Sequence, residues 1–310
     1  MLICERWSNL EQVATVCVRS ERRSVRALVV EKYRGSLSKM RLLPLGLMVA
    51  LFGTGETVAA VLVPDAPGIP YHWEWAKWGA KGGSYWINNS IWNVGSLVMK
   101  EDYAQSVNVD PKTFPNETSL VWNYPHPADY RIFSFPEIVF GQSPGKTGAY
   151  MPEGFGLVTP PLKKVNQFRE ISTGYEIVVS GDAFAKKHNN IAFDLWLTPS
   201  TNYTLADRKF EVFIGVHLRD SCEGKLSYHL TVPSLSADVW LFTRRTWTEI
   251  CLDPGRDIFS GKIVISDILK DLVKHNIISG EEYIGGVEFG VEPGGGIGAV
   301  TIKKFDVLWD

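Results

Sequence analysis

The feature that most constrains the fold is a strict alternation of apolar and other residues in several short segments. One face of "KFEVFIGVHL" carries only the apolar side chains of Phe210, Val212, Ile214, Val216 and Leu218, because successive side chains of an extended strand point to opposite sides. The segments "NNIAFDLWL" and "GGVEFGVE" follow the same rule. A strand that is apolar on one side must bury that side against another layer, so the sequence predicts packed β-sheets.

The rest of the chain favours the same fold class. From about residue 66 onward, aromatic and β-branched segments alternate with turns, and 28 Gly and 17 Pro accompany 11 Trp and 11 Tyr. The segment "SDILKDLVKHN" predicts one helix, with Ser266 as its N-cap. Its apolar stripe consists of Ile268, Leu269, Leu272 and Val273. The sequence therefore predicts an all-β jelly-roll sandwich of two antiparallel sheets, with one packed helix and a concave groove.

The N-terminal residues have a different character. A short basic start at Met40 precedes an apolar run, and small residues follow up to Ala60, which is the layout of a secretory signal peptide. The apolar run is too short for a comfortable transmembrane span. We therefore predict an upstream extension at 1–39, a signal peptide at 40–60, and a secreted, extracellular domain at 61–310 that has no membrane contact in its mature form.

Charge and residue distribution limit the partners. The formal net charge is -2, and nucleic-acid binding needs clustered Lys and Arg, so no nucleic-acid partner is expected. The histidines are scattered without metal-ligand spacing, so neither a metal nor another cofactor is expected. We also expect a monomer. Cys222 and Cys251 fall in the predicted secreted domain, where the sequence leaves open whether they pair.

The faces opposite the apolar ones carry isolated acids in place of the Lys, Thr and Ser of a solvated surface. These acids are Asp194, Glu211, Glu288 and Glu292. Aromatic residues and glycine stand between them, which is typical of a groove lining, and Gly286 and Gly290 are expected to leave room for sugar rings. Paired carboxylates in a groove indicate glycosidic bond cleavage, in which one acid attacks the sugar and the other protonates the leaving oxygen. The alternative is a structural role, with the acids satisfied by arginine or backbone donors.

Four ordered segments make the chain similar to glycoside hydrolase family 12, the compact β-jelly-roll endoglucanases. "NNSIWN" and "NIAFDLWLT" resemble the family's Asn-Asn…Trp block and its aspartate-bearing strand, while "FEVFIGVHL" and "VEFGVEPGGGIGAVTI" resemble its nucleophile and acid/base strands. Each segment alone is a weak signal. Their order and spacing, with the helix just before the last one, make the combination specific. The resemblance covers residues 66–310 and implies that this domain is catalytic.

The resemblance also implies roles for residues that the groove pattern singles out. Glu211 takes the place of the family's nucleophile, Glu292 that of its general acid/base, and Asp194 that of its supporting aspartate. The candidate substrate-binding residues are Asn89, Trp92, Trp122, Trp196, Phe213, His217 and Glu288. The implied protein is a secreted retaining endo-β-1,4-glucanase that hydrolyses cellulose or related β-glucan polysaccharides through a covalent glycosyl-enzyme.

Departures from the family pattern leave the substrate open. Phe213 and Gly215 stand where the family usually has Met and Trp, the loop "RDSCEGK" lacks its usual Gly-Pro-Ile-Gly, and Glu288 replaces a common Gln. A xyloglucan-specific endohydrolase of the same family is therefore one alternative. A non-catalytic glucan-binding jelly roll is another, although the intact pair of Glu211 and Glu292 argues against it. The segments "FGVEPGGG" and "NIAFDL" disfavour a related jelly-roll xylanase.

Overall fold

The computed structural model of the chain describes residues 2–9, 12–21, 24–31, 77–79, 83–125, 131–145, 157–185, 189–219 and 222–310. The chain divides into two compact units, residues 1–58 and 59–310. The first unit contains three strands that pair antiparallel in chain order, β1 (Leu2–Asn9), β2 (Gln12–Glu21) and β3 (Ser24–Glu31). The sequence showed no strand period there. The upstream extension at 1–39 stays a prediction, and the predicted signal peptide at 40–60 lies outside the described residues.

The second unit is built mostly of strands. They are β4 (Lys77–Gly79), β5 (Tyr85–Ile91), β6 (Ala104–Asn108), β7 (Thr118–Tyr124), β8 (Ser134–Gly141), β9 (Lys163–Lys164), β10 (Ile171–Ser180), β11 (Asn190–Leu197), β12 (Phe210–His217), β13 (Lys225–Val232), β14 (Leu235–Thr243), β15 (Thr248–Asp253), β16 (Ser260–Val264), β17 (Tyr283–Ile284), β18 (Gly286–Glu292) and β19 (Gly296–Trp309). There is one α-helix among the described residues, α1 (Ile265–Lys274), and short 3-10 helices lie at Val165–Gln167, Asp182–Ala185 and Leu205–Asp207.

Most of these strands form two large sheets, while β9 and β17 pair with each other. The first has nine strands in the order β13-β14-β15-β12-β11-β18-β8-β5-β4, and the second has five in the order β16-β10-β19-β7-β6. The pairs are antiparallel except for β12 and β15, which run parallel. The sequence predicted two antiparallel sheets, and this one pair departs from that prediction. The parallel pair arises because β13, β14 and β15 form a meander that returns β15 to the edge of β12 in the same direction.

The hydrophobic core lies between the two sheets. Phe193 of β11 and Phe289 of β18 stack with ring centroids 4.3 Å apart. Both rings contact Tyr175 and Phe305, which come from the five-stranded sheet. The apolar faces predicted from the alternation are buried here, since Val212, for example, is fully inaccessible to solvent. The predicted all-β sandwich with one packed helix is confirmed.

The helix packs as predicted but starts differently. Ile268, Leu269 and Leu272 are buried, which confirms the apolar stripe. The helix begins directly after β16, with Val264 at the N-cap position and no side-chain cap hydrogen bond. Ser266 is therefore not the N-cap, because the chain turns from strand to helix before reaching it, and its side chain is buried in the first turn. No helix in the described ranges combines the length and apolar character that crossing a bilayer requires.

The last two long strands take central places in the two sheets. β18 lies between β11 and β8 in the nine-stranded sheet. β19 lies between β10 and β7 in the five-stranded sheet. Each sheet is therefore held together in its middle by a strand from the C-terminal end of the chain.

A β-bulge near the end of β12 changes which way that end faces. Gly215 pairs with Ala192 but His217 pairs with Ile191, so Val216 is an extra residue in the ladder. His217 consequently lies on the same side as Ile191, toward the core. Leu218 falls on the opposite side, where it packs with Phe213. The strict alternation predicted the reverse for His217 and Leu218, and both placements are wrong because one inserted residue exchanges the faces.

Candidate active site

A cleft of about 990 Å³ lies on the face of the nine-stranded sheet that is turned away from the core. Its acids are Asp194, Glu211, Glu223, Glu249 and Glu292. Its arginines are Arg131, Arg208 and Arg244. Its aromatic residues are Trp92, Phe135, Trp196, Phe213 and Trp247. The predicted groove is therefore present, and it combines aromatic walls with a concentration of charged groups.

The structure brings together six of the residues singled out in the sequence. They are Glu211, Glu292, Asp194, Trp92, Trp196 and Phe213. Trp92 is 49% exposed at the cleft, so its ring is available to stack on an apolar sugar face. Glu211 and Glu292 stand on β12 and β18, the two strands that flank β11, and Asp194 stands on β11 itself.

Asn89 and Trp122 do not line the cleft. Ser90 is the cleft residue of β5, so the adjacent Asn89 faces the core, where Gln105 Nε2 donates a hydrogen bond to its Oδ1 (2.8 Å). Trp122 belongs to β7 of the other sheet and packs edge-on against Phe184 in the core. The prediction that they bind substrate is not supported, because both side chains take the core face of their strands.

His217 and Glu288 are also placed away from the cleft lining. The bulge turns His217 toward the core, where its Nδ1 lies 3.0 Å from Asp257 Oδ1 and burial lowers the pKa of the ring. Glu288 pairs with Asp194 across β18 and β11. Its side chain is almost completely buried. Neither residue is among those that line the cleft.

The glycines of β18 have a packing role in place of the predicted sugar-facing one. A Cβ atom on Gly290 would lie 2.7 Å from the backbone oxygen of Pro136 and 2.9 Å from the ring of Phe135. A Cβ atom on Gly286 would collide with the backbone of β8. Neighbouring atoms, rather than open cleft, occupy the space that these residues leave. The expectation that they make room for sugar rings is therefore wrong.

Glu211 is held by an indole from the turn just before β15. Trp247 Nε1 donates a hydrogen bond of 2.7 Å to Glu211 Oε2. Trp196 pairs with Glu211 across β11 and β12, and the two tryptophan rings meet edge to face at 5.8 Å. The guanidinium of Arg208 lies 4.6 Å from the ring of Trp196 and 4.4 Å from that of Trp247. This cation–π contact fixes both indoles beside the carboxylate.

A second acid stands directly beside Glu211. β12 and β15 pair in parallel with Glu249 opposite Glu211, and both line the cleft. Arg244 Nε and Nη2 donate hydrogen bonds of 3.0 and 2.6 Å to Glu249 Oε2. Arg244 Nη1 also lies 3.4 Å from Glu223 Oε2.

These cleft residues on and around β15 were missed, although the sequence contained their signal. In "TWTEICL", Ile250 and Leu252 point to the core, while Trp247, Glu249 and Cys251 take the other side. This is the pattern that identified the three other strands.

A disulfide bond joins Cys222 and Cys251, with 5.5 Å between their Cα atoms. The sequence left this pairing open. The bond ties the loop after β12, which carries Glu223, to the middle of β15. The cleft wall that contains Glu223 and Glu249 is therefore covalently fastened.

Glu292 and Glu211 share an environment that favours protonation. Burial raises the pKa of Glu211 to about 8, and the charges of Glu249 and Glu292 act in the same direction. Burial raises the pKa of Glu292 to about 7, against a hydrogen bond of 2.9 Å from Asn190 Nδ2. Since the groups interact, their titration belongs to the pair. The cleft therefore retains a proton near neutral pH, as an acid-catalysed reaction needs.

Comparison with known proteins supports the fold. No protein-family model and no curated protein matches the sequence. Among solved structures, a family 12 xyloglucanase from Bacillus licheniformis is 19% identical with a TM-score of 0.63, over 76% of this chain and 97% of that chain. Endoglucanase Cel12A from Rhodothermus marinus is 19% identical with a TM-score of 0.60, over 76% and 96%. The catalytic domain of Humicola grisea Cel12A, solved with a thio cellotetraose, is 15% identical with a TM-score of 0.61, over 76% and 96%.

The chain therefore has the jelly-roll fold of the family 12 glycoside hydrolases, and the predicted resemblance to that fold is confirmed. Within the described ranges, no group of three or more His, Cys, Asp or Glu side chains is arranged to hold a metal ion.

Proposed function

We propose that this chain is a family 12 glycoside hydrolase, a retaining endo-β-1,4-glucanase that cleaves cellulose or related β-glucans. The observation that carries the proposal is that Glu211 and Glu292, from the two strands that flank β11, line one cleft with aromatic walls. The similarity of the fold to endoglucanases and a xyloglucanase supports it.

In this proposal, Glu211 is the nucleophile and Glu292 the general acid. The carboxylate of Glu211 attacks the anomeric carbon while Glu292 protonates the leaving oxygen, and Glu292 then activates the water that releases the sugar. The hydrogen bond from Trp247 engages Oε2 of Glu211 and leaves the other oxygen to attack. The proton must reside on Glu292 when substrate is bound, whereas in the free protein burial raises the pKa of both carboxyl groups and the proton belongs to the pair. Substrate binding must therefore set the position of the shared proton.

Two experiments test this proposal. Reducing-sugar release is measured side by side on carboxymethyl cellulose, barley β-glucan, xyloglucan and xylan, and hydrolysis of a β-1,4-glucan is expected. An activated 2-deoxy-2-fluoro-β-cellobioside should then label Glu211, because the fluorine slows the release of a covalent glycosyl-enzyme. Peptide mapping with the label on Glu249 or Glu292 would contradict the assigned nucleophile. Binding of glucan without any hydrolysis would favour the non-catalytic module.

Xyloglucan is the second candidate substrate. Gly215 stands where family 12 usually has a tryptophan, and the side chain of Leu218 packs over it. The cleft therefore lacks one flat stacking surface at this position for a bare glucan chain, and a branched chain can gain contacts through its side chains instead. Faster hydrolysis of xyloglucan than of barley β-glucan in the same assay would assign that specificity.

We propose further that the protein is secreted after removal of residues 40–60. The disulfide between Cys222 and Cys251 supports this, because such bonds persist in oxidising compartments. A chain that begins at Val61 should fold and hydrolyse glucan as well as the full chain. Mass spectrometry of the protein recovered from culture medium should give an N-terminus close to Ala60. An insoluble Val61 chain beside an active full chain would place residues 1–60 within the fold.

A further inference from the structure

Glu249 is a third carboxylate beside the proposed catalytic pair, and a two-acid reaction gives it no role. Its side chain is only 11% exposed, and it stands opposite Glu211 on a neighbouring strand. Like charges directly opposite one another in a sheet are destabilising. The repulsion between Glu249 and Glu211 therefore lowers the stability of the sheet unless a positive charge offsets it.

Arg244 holds the carboxylate of Glu249 in place. Two of its nitrogen atoms donate to the same carboxylate oxygen, and charge-assisted hydrogen bonds of this kind are short and strong. The arginine is itself fixed, because its backbone N–H bonds to the oxygen of Trp247 (2.8 Å) and closes the turn between β14 and β15. The negative charge beside Glu211 is therefore a built feature of the cleft.

We propose that Glu249 is a positioning residue for the reaction: its fixed negative charge keeps one proton on the pair of Glu211 and Glu292 over the pH range of hydrolysis. This inference rests on the proposed function. Two carboxyls in one cleft hold two, one or no protons, and the retaining reaction needs the singly protonated form. A negative charge beside the pair makes the last proton harder to remove.

The charges around the pair are consistent with this role. Glu249 raises the pKa of both Glu211 and Glu292, and Arg244 lowers both. The effect of Glu249 on Glu211 is second only to burial. The charged groups that line the cleft besides the pair and Glu249 are Asp194, Arg131, Arg208, Glu223 and Arg244.

The test is the pH dependence of kcat/KM on an aryl β-cellobioside. Removing the charge in Glu249→Gln should move both limbs of the profile to lower pH, by at least about half a unit. Removing the arginine in Arg244→Gln should move them to higher pH, because a positive charge is lost. Glu249→Asp keeps the charge and should restore most of the wild-type profile. Glu170→Gln, which removes a carboxylate paired with Lys262 at the other sheet, is the control and should shift nothing.

A second measurement separates this inference from the proposed function. Carboxyl carbon NMR of glutamate-labelled protein follows the titration of Glu211 and Glu292 without any substrate. Their midpoints should fall in Glu249→Gln even if no glucan is hydrolysed, whereas an inactive wild type would refute only the proposed function. Unchanged midpoints, or shifts of the same sign in Glu249→Gln and Arg244→Gln, would overturn the role of Glu249. Thermal unfolding of each variant shows whether the protein that is titrated is folded. If Glu249→Gln does not fold, the shift of the midpoints in Arg244→Gln still tests the inference.

Discussion

The two faces of the nine-stranded sheet differ in chemistry, although the same strands build both. Toward the core, β11, β12 and β18 present Phe193, Ile214 and Phe289, all fully buried among apolar neighbours. Toward the cleft, the same strands present Asp194, Glu211 and Glu292, and burial raises the pKa of the two glutamates. Burying an ionisable group opposes folding, whereas burying a hydrocarbon favours it. One face therefore holds the sandwich together, and the other places reactive groups at a cost in stability.

The largest expected effect separates activity from stability on the cleft face. Glu211→Gln should lower kcat by at least about a thousandfold, because the amide cannot act as the nucleophile. The thermal midpoint should stay the same or rise, since a carboxyl group with an unfavourable burial is removed and the amide oxygen can still accept from Trp247. Glucan binding, measured by affinity electrophoresis, should survive. Turnover within tenfold of wild type would contradict the assignment of Glu211 as the nucleophile.

The next effect distinguishes the two acids of the cleft. Glu292→Ala should slow hydrolysis of an activated aryl cellobioside by about a hundredfold or more, mainly because the second step loses its general base. Azide needs no base, so it should restore turnover and give a glycosyl azide of β configuration. Proton NMR of the product gives the configuration. An α-glycosyl azide would require that the roles of Glu211 and Glu292 be exchanged.

The core face should respond in stability alone. Phe193→Ala removes a ring that stacks on Phe289 and should lower the free energy of unfolding by about 3–5 kcal/mol. Urea unfolding measures this, and the activity of the molecules that remain folded should stay close to wild type. The control Ile297→Ala removes an exposed side chain of β19 and should change the stability by less than about 0.5 kcal/mol. A core variant that is fully stable but inactive would contradict the conclusion that one face of the sheet provides stability and the other provides activity.

The smallest effect sharpens the role of the indole beside Glu211. Trp247→Phe keeps an aromatic ring but loses the hydrogen bond to Oε2, and it should lower kcat/KM by about tenfold to a hundredfold, as expected for a hydrogen bond to a charged group. The loss should appear mainly in kcat, because the contact orients the attacking group. A change confined to KM would mean that Trp247 acts as a sugar platform instead.

Sequence alone was sufficient where a strand is regular. The alternation in β11, β12 and β18 placed Phe193, Val212 and Phe289 in the core, and it brought Asp194 and Glu211 to one cleft. These placements depend only on the two-residue period of an extended chain. The packed sandwich follows from the same pattern repeated along the chain.

Sequence alone failed where the geometry depends on another strand. The bulge that turns His217 to the core depends on the register with β11. The alternation of apolar and polar residues in the sequence does not indicate it. Glu249 reaches Glu211 only through a parallel pairing of β12 and β15, whose partners are separated by a hairpin. Tryptophan is a residue type that often binds sugars, but the strand of Trp122 belongs to the other sheet. Pairing partners are a property of the whole fold, so local patterns cannot determine them.

The central places of β18 and β19 have a consequence for synthesis of the chain. Until residues 286–309 leave the ribosome, β11 and β8 in one sheet and β10 and β7 in the other lack the strand that joins them. Such nascent chains expose unpaired strand edges, which are prone to associate with other chains. The distant partners also give the fold a high contact order, which slows folding. Neither sheet can therefore close, and the cleft cannot form, before residues 286–309 have been synthesised.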